Sequence, residues 1–423
     1  MPTATDNPDR TPTTRLMFGA VVALSIVIAL TYYFTFYGSS KVETQRNSIA
    51  FADTGEYVQL LRGRHYIACL GTTELDRVEH RRKTIHHLDY LVVADVVSSL
   101  GTRAAGLDEV SSIWLVTPLL GAINFALAFL LFRRESGQEL ALPAALAYAV
   151  IPATWIYAAV PETWIISGTA VLVILLLRGR GTPSWLVAIL IALFALNNFL
   201  LLALVALVVD VNSPADVWIR KTSALAVLVV TVWLGFLIAL GLTLSPDFLP
   251  HHFVAHTIAF KERLAENLSI VHPMRWAYNA ANGWFAPFVL NQPDLNFGRY
   301  AMIDSVRTFP LGSIAVAVQA FVVFMVGRDV YRQARAHTSW SSALRGGAMG
   351  TSVYLVVIFI ATGLALYYES FLYAQMFVPI LFLLLLRALP PGRTGVGMMW
   401  VITIAWGLNS AQQMLSFRAA LGL

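Results

Sequence analysis

The amino-acid sequence predicts an all-α polytopic integral membrane protein with about 9–11 transmembrane helices. Of its 423 residues, 57% are hydrophobic and 13% are charged, and that charged share is about half the usual one for a soluble domain. The mean hydropathy of +0.67 points the same way. Because a water-soluble core does not enclose so many apolar side chains, the fold belongs in a bilayer.

Apolar segments of about 20 residues, the length that crosses a bilayer, recur along the chain. The predicted spans are 16–37, 110–132, 139–160, 164–178, 222–245, 309–327, 346–367, 370–387 and 396–416. Residues 1–15 are polar and predict a disordered cytoplasmic N-terminus, whereas 16–423 form a single transmembrane domain.

Basic residues orient these spans, because short cytoplasmic loops carry an excess of Lys and Arg. Arg10 and Arg15 place the N-terminus in the cytoplasm. The later basic loops are also cytoplasmic if 184–209 folds as a hairpin of two short segments, broken at Asn197-Asn198. A single tilted helix is the alternative. The hairpin leaves two long external loops, 38–109 and 246–308, and the first of these contains interfacial helices. The expected location is an inner or plasma membrane with the active site on the external face.

Composition and motifs exclude several classes of function. The single Cys69 excludes an intramolecular disulfide and a cysteine-based metal cluster. The sequence contains no nucleotide-binding loop, no dinucleotide fingerprint and no metalloprotease or hydrolase motif. The net charge of +5 lies largely beside apolar spans, so nucleic acid is not an expected partner. We therefore expect no cofactor and no metal site.

Asp53 and Glu56 open the first long polar segment and are the predicted catalytic residues. Three residues apart, they share one face of a helix over 54–62. Paired carboxylates at a membrane surface suit general-base catalysis, one accepting a proton and the other orienting the acceptor hydroxyl. The same spacing is also a capping box that starts a helix, and the two interpretations are compatible.

Cationic and imidazole side chains follow along this loop: Arg62, Arg64, His65, His86 and His87. Such groups near an interface suit a phosphate, and a charged imidazole stabilises a departing phosphate. Attraction to anionic lipid is the alternative. Adjacent histidines point in different directions on a helix, which disfavours zinc. We therefore assign these residues to substrate binding, with Arg64 and His87 as the leading phosphate ligands.

Glu162 and Glu369 each lie in a short loop that the predicted topology places on the external side. A carboxylate at such a boundary is commonly a solvated loop residue. Because the predicted topology places both on the same side of the membrane as Asp53, they are added to the predicted substrate-binding residues.

Two motifs carry a resemblance to a known family. The first is Asp53-Thr54-Gly55-Glu56, and the second is His86-His87-Leu88-Asp89-Tyr90. With the layout of one span, a long external loop and many further spans, they resemble the GT-C superfamily of membrane glycosyltransferases, in its protein O-mannosyltransferase-like branch. That branch carries Asp-Ser-Gly-Glu and later a His-Pro-Pro motif before a Leu-Tyr pair. Here no prolines follow the histidines, and the likeness by motif covers only about fifty residues.

The resemblance implies an inverting glycosyltransferase that uses a polyprenyl-phosphate-linked sugar, with no nucleotide sugar and no metal. Asp53 is then the base, and cationic side chains stabilise the leaving lipid phosphate. The implied partners are that donor, membrane lipids, and an acceptor glycan, lipid or protein.

Two other classes compete with a transferase. A transporter or flippase of a lipid-linked or anionic solute needs polar residues at mid-membrane depth, whereas a transferase needs them at one interface. Few polar residues interrupt the predicted spans, which favours the transferase. A non-catalytic scaffold subunit would use the first loop as a partner surface.

Overall fold

The computed structural model describes residues 12–38, 54–64, 88–177, 183–194, 215–244, 288–289, 310–336 and 374–423. Within these ranges the protein is all-helical and contains no β-strand, as the composition predicts. The α-helices are α1 (Pro12–Phe36), α2 (Thr54–Leu61), α3 (Leu88–Ala105), α4 (Glu109–Ser136), α5 (Gln138–Val150), α6 (Pro152–Ala159), α7 (Trp164–Leu177), α8 (Ser184–Phe194), α9 (Ala215–Leu244), α10 (Pro310–Ala336), α11 (Ala374–Ala388) and α12 (Arg393–Leu421).

Helix α4 is the centre of the bundle and packs against α1, α3, α5, α6 and α7. It runs antiparallel to α1. At one end the Tyr37 and Ser111 hydroxyls lie 2.6 Å apart in a hydrogen bond, and at the other the rings of Phe18 and Phe129 meet at 6.3 Å. We call the end at which α1 finishes the outer end, and the opposite end the inner end.

Helix α4 has a distinct start and stop. The Asp108 carboxylate accepts hydrogen bonds from the backbone N–H of Ser111 at 2.9 Å and from the Ser111 hydroxyl, so it is an N-cap. These bonds favour the charged carboxylate and hold the pKa of Asp108 below its usual value. Gly137 ends the helix with φ at 84°, a conformation that glycine adopts without strain.

The predicted span 139–160 is two helices rather than one. Helices α5 and α6 meet at Ile151 with a bend of 61°. Pro152 has no backbone N–H to continue the hydrogen bonds of α5, but it suits the first position of α6. The Tyr32 hydroxyl donates to the Ala149 carbonyl at 2.6 Å, which fixes the end of α5 against α1. Helix α6 therefore turns towards α4 instead of continuing outwards.

Helix α12 runs parallel to α5, from the inner to the outer end. Its Thr403 hydroxyl donates to the Pro143 carbonyl at 2.9 Å. Near its C-terminus the Arg418 guanidinium donates to the carbonyls of Phe34 and Thr35, in the last turn of α1. Arg418 therefore caps α1 and supplies positive charge at the negative end of its helix dipole.

Helices α10 and α11 run the other way. The Leu311 backbone N–H, at the start of α10, donates to the Gln412 side chain in the outer half of α12 at 3.4 Å. At the inner end Arg387 of α11 forms an ion pair with Asp329 of α10 at 3.5 Å.

Arginines gather at the inner end of the bundle. Arg134 donates to the last carbonyls of α7, those of Leu175 at 2.9 Å and Leu176 at 2.8 Å. The arginines at the inner ends of the helices are Arg133, Arg134, Arg328, Arg332, Arg387 and Arg393. With the predicted hairpin, the excess of basic residues in short loops predicts that this end faces the cytoplasm.

Three helical segments in the described ranges are long and apolar enough to cross a membrane: Leu16–Phe36, Glu109–Ser136 and Leu311–Asp329. The bent pair of α5 and α6 makes a fourth if it counts as one span. The architecture is that of a membrane protein, and the larger span number stays a prediction. The predicted span 346–367 and all of the loop 246–308 except 288–289 lie outside the described residues.

Helix directions constrain the chain between α7 and α10. Helix α7 ends at the inner end and α10 begins at the outer end, so an odd number of crossings separates them. The predicted hairpin at 184–209 together with α9 gives such a number. Residues 195–214, on which the hairpin depends, lie outside the described ranges, so the hairpin and the single tilted helix both stay predictions.

The hairpin predicts that the loop 246–308, which leads into the outer end of α10, lies on the same side of the membrane as Asp53. Three kinds of single-cysteine variant are made in a Cys69→Ser background: one in that loop, one at Gln59 and one at Glu139, which is exposed at the inner end. Each is labelled in intact cells with an impermeant thiol reagent. We expect the loop and position 59 to react together, and position 139 to react only after permeabilisation. Reaction of the loop together with position 139 would contradict the hairpin.

Candidate functional site

The turn between α6 and α7 lies far below the outer end. On its α6 side Ala158 packs on Gly121, where an added Cβ would come within 2.6 Å of the Ala158 methyl group. On its α7 side the Ile165 carbonyl accepts from the Asn124 side-chain amide at 3.1 Å. Gly121 and Asn124 lie about 15 and 20 Å along α4 from Ser111, at 1.5 Å per residue. We call this sunken region of the outer end the recess.

Glu162 occupies the recess and is 2% exposed. Its carboxylate accepts the backbone N–H of Thr163 at 2.8 Å. Tyr90 of α3 is fully buried beside it. Burial, together with the charge of Glu162, raises the pKa of Tyr90 well above its ordinary value, so the phenol stays neutral. An ionisable side chain enclosed at such depth is costly and by default marks a functional site.

Helix α2 covers this pair. The ring of Tyr57 meets that of Tyr90 edge to face, with 5.3 Å between centroids. Val58 and Leu61 of the same helix are also buried, whereas Gln59 is exposed. The first turn of α2 therefore lies at the depth of Glu162, and α2 forms a roof over the recess.

A short 3₁₀ turn, Arg62–Arg64, follows α2 and fixes its C-terminal end, which lies towards the outer end of the bundle. The backbone N–H of Gly63 donates to the Glu109 carboxylate at 2.7 Å. Arg64 donates through Nε to Asp95 at 2.9 Å and through a terminal nitrogen to Ser99 at 3.3 Å. Gly63 and Arg64 are consecutive left-handed residues, with φ at 55° and 57°, and this turn directs the guanidinium towards α3.

Helix α3 lies alongside the outer half of α4. The Thr102 hydroxyl donates to Ser112 at 3.1 Å near the outer end, while Tyr90 lies in the recess. The outward face of α3 carries an exposed apolar stripe of Val92, Val96 and Leu100. Because α3 runs along α4 and not in the membrane plane, the interfacial helices expected in the first loop stay a prediction.

The structure places only some of the predicted site residues. Glu162 lies in the recess, and the Glu56 backbone lies in the first turn of α2, although its side chain is not described. Arg62 and Arg64 lie above, at the outer end, both exposed. Asp53, His65, His86, His87 and Glu369 lie outside the described residues. Their assignments remain predictions.

The described residues contain no group of three His, Cys, Asp or Glu side chains that could hold a metal ion. The chain matches no protein-family model, and no curated protein or solved structure shows significant similarity to it. The site is therefore interpreted from its own chemistry.

Sequence reasoning missed the polar face of α12. Trp406, Asn409, Ser410 and Gln413 are all buried on one side of this helix, inside the predicted span 396–416. Their spacing of three, four and seven residues is the signal that reveals a shared helix face. The statement that few polar residues lie within the spans is wrong for this helix.

Gly121→Ala is expected to destabilise the bundle by about 1–3 kcal/mol, because the new methyl group meets both Ala158 and Tyr32. Gly19→Ala is the matched control, since nothing lies within 4 Å of a Cβ there. Thermal unfolding of the detergent-solubilised variants would measure the difference. Equal melting temperatures for the two variants would contradict the close packing of α6 on α4.

Tyr57→Ala is expected to open the recess to water. A thiol at position 162, introduced as Glu162→Cys in a Cys69→Ser background, should then react faster with a water-soluble thiol reagent. Gln59→Ala, an exposed position on the same helix, should leave the rate unchanged. A rate that does not respond to Tyr57→Ala would show that α2 is not the roof.

Proposed function

We propose that this protein is an inverting membrane glycosyltransferase that moves a sugar from a polyprenyl-phosphate-linked donor to an acceptor hydroxyl at the external membrane face. The observation that carries the proposal is the buried carboxylate of Glu162 beneath α2, the helix that Asp53 immediately precedes. The proposal brings Asp53 to this recess, where it and Glu162 act as the paired general-base and substrate-orienting groups that such a reaction requires.

The arginines of the inner end support the proposed orientation. Short basic loops remain on the cytoplasmic side of a membrane, so the outer end of the bundle is the external side. The recess then opens away from the cytoplasm, where a lipid-linked sugar rather than a soluble nucleotide sugar is the available donor. The proposed protein has about 9–11 spans in an inner or plasma membrane.

In this mechanism the Asp53 carboxylate accepts the proton of the acceptor hydroxyl while the acceptor oxygen attacks the anomeric carbon. The bond from that carbon to the phosphate oxygen breaks, and its electron pair leaves with the polyprenyl phosphate. Attack opposite the leaving group inverts the anomeric configuration. Glu56, Glu162 and Glu369 hold hydroxyl groups of the sugar and acceptor, and the neutral Tyr90 phenol supplies a further donor.

The cationic residues of the first loop stabilise the leaving phosphate. Arg64 is already paired with Asp95 at 2.9 Å and retains a half-exposed side chain. A phosphate at this position would therefore bind a guanidinium that Asp95 and Ser99 hold in a fixed orientation. Arg62, His65, His86 and His87 are the other proposed phosphate-side residues.

Transport of a lipid-linked or anionic solute is the second candidate function. The buried polar face of α12 favours it, because a transporter needs polar side chains within the membrane. Net movement of an intact solute across reconstituted vesicles, without cleavage of its sugar bond, would identify this function.

Purified protein in lipid nanodiscs, supplied with a labelled polyprenyl-phosphate sugar and membrane-extract acceptors, should transfer the label. Asp53→Asn should lower the rate by about 10²–10⁴-fold, as expected for loss of a general base. Glu162→Gln should also slow transfer, through weaker acceptor or sugar binding. Glu139→Gln, an exposed carboxylate at the inner end, is the control and should behave as the parent. Transfer from nucleotide sugars alone, or full activity of Asp53→Asn, would reject the proposal.

A further inference from the structure

Helix α3 extends from the depth of the recess to the outer end of the bundle. Near its start Tyr90 lies beside Glu162, and near its end the Thr102 hydroxyl donates to Ser112 at 3.1 Å. Between Tyr90 and Thr102 the helix rises about 18 Å at 1.5 Å per residue. This rise equals the depth of the recess measured along α4, so α3 stands along the axis of the bundle.

Helix α1 gives the scale of the membrane. Its segment Leu16–Phe36 has 21 residues and is about 31 Å long, the thickness of the apolar core of a bilayer. Exposed apolar side chains continue along α1 as far as Phe34, so the hydrocarbon reaches the outer end of the bundle. The start of α3, about 18 Å further in, therefore lies near the middle of the bilayer. We call the leaflet at the outer end the outer leaflet, and α3 occupies its depth.

The two sides of α3 differ in burial. Tyr90, Leu91 and Ala94 are buried against the rest of the protein. The apolar stripe, which is Val92, Val96 and Leu100, lies on the opposite side and is exposed. Water at such a stripe would be unfavourable, whereas acyl chains are as apolar as the side chains themselves.

The apolar stripe continues a surface of α4 that also faces away from the bundle. Near the outer end α3 covers α4 closely, since a Cβ added to Gly101 would come within 3.1 Å of the Ser112 hydroxyl. Leu119 and Ile123 recur on the same side of α4, about two and three turns further in, and both are exposed. The protein thus presents one apolar surface, formed by α3 towards the outer end and by α4 deeper in the membrane.

Polar side chains on the flank of the stripe are bonded to one another. The Asp95 carboxylate pairs with the Arg64 guanidinium at 2.9 Å, and it also accepts from the Ser99 hydroxyl at 3.4 Å. Arg64 donates to Ser99 as well, at 3.3 Å. An ionised group close to hydrocarbon requires such a partner, so this flank is compatible with a place in the leaflet.

A positive charge ends the stripe at the outer end. Arg103 lies in the last turn of α3 and is exposed. It follows Val92 by about three helical turns and therefore lies on the same side of the helix. A guanidinium at this level suits the phosphate groups of lipids.

We propose that α3 is a helix immersed in the outer leaflet, with its apolar stripe against phospholipid acyl chains and Arg103 among the lipid phosphates. The first long loop, which the sequence predicts to be external, then supplies part of the membrane-facing wall of the protein. This inference does not depend on the proposed transfer reaction.

Depth measurements with nitroxide labels test this placement in the full-length protein. Val92→Cys, Val96→Cys, Leu100→Cys and Arg103→Cys are made singly in a Cys69→Ser background, labelled, and reconstituted into phosphatidylcholine–phosphatidylglycerol vesicles. We expect oxygen, which concentrates among acyl chains, to reach the labels at 92, 96 and 100 in preference to a water-soluble nickel complex. The depth should increase stepwise from position 103 to position 92 by about 16 Å, the rise of an upright helix.

Two reference positions calibrate the result. Ile123→Cys on the exposed side of α4 is the reference for acyl chains, and Glu139→Cys, exposed at the inner end, is the reference for water. Nickel access at position 92 equal to that at position 139 would show that α3 borders water. Equal depths at all four positions of α3 would show that it lies in the membrane plane. Either result would overturn the proposal.

Photolabelling of the parent protein provides a measurement that no substitution can disturb. A phospholipid with a diazirine in its acyl chain is irradiated in the same vesicles, and the labelled residues are identified by mass spectrometry. We expect labels within residues 92–100 of α3 and none within 102–106, which are also exposed but lie at the outer end. Labelling of Ile123 without any labelling of 92–100 would reject the immersion of α3.

Discussion

The close approach of α6 to α4 at Gly121 is the contact on which the outer half of the molecule depends. Only a residue without a Cβ lets Ala158 and the Tyr32 ring pack against α4 together. The following chain then turns within the bundle, and the bond from Asn124 to the Ile165 carbonyl fixes the start of α7 at the same depth. Because the turn is sunken, its carboxylate at Glu162 is enclosed instead of solvated. The recess, and the roof that α2 forms over it, follow from this one contact.

Helix ends are completed largely by charged and polar side chains from distant parts of the chain. Arg134 caps α7 and Arg418 caps α1, each supplying positive charge to carbonyls that have no partner within their own helix. These bonds satisfy carbonyls that would otherwise depend on other partners. The Arg418 bonds also tie the last helix to the first at the outer end, where the candidate site lies. The Arg134 bonds tie α4 to α7 at the inner end.

The two polar regions of the outer half differ in chemistry. The recess contains a carboxylate and a phenol beneath a helix preceded by Asp53, and this combination suits proton transfer and the binding of hydroxyl groups. The polar face of α12 contains an indole, two amides and a hydroxyl, and its helix carries no charged residue between Arg393 and Arg418. Such a neutral surface can form hydrogen bonds but cannot act as a general base.

The sequence by itself determined the all-helical class of the protein and several of its apolar helices. Hydropathy identified the first span as 16–37, close to the observed Pro12–Phe36, and the Asp-x-x-Glu spacing identified the helix observed at Thr54–Leu61. Hydropathy missed the break at Ile151 because both halves of 139–160 are apolar, although Pro152 marks it. Only the tertiary structure placed Tyr57, Tyr90 and Glu162 together, and only it showed that the polar face of α12 is buried. Periodicity reports which face of a helix avoids water, but not which distant segment covers that face, since that choice depends on packing contacts between residues far apart in the chain.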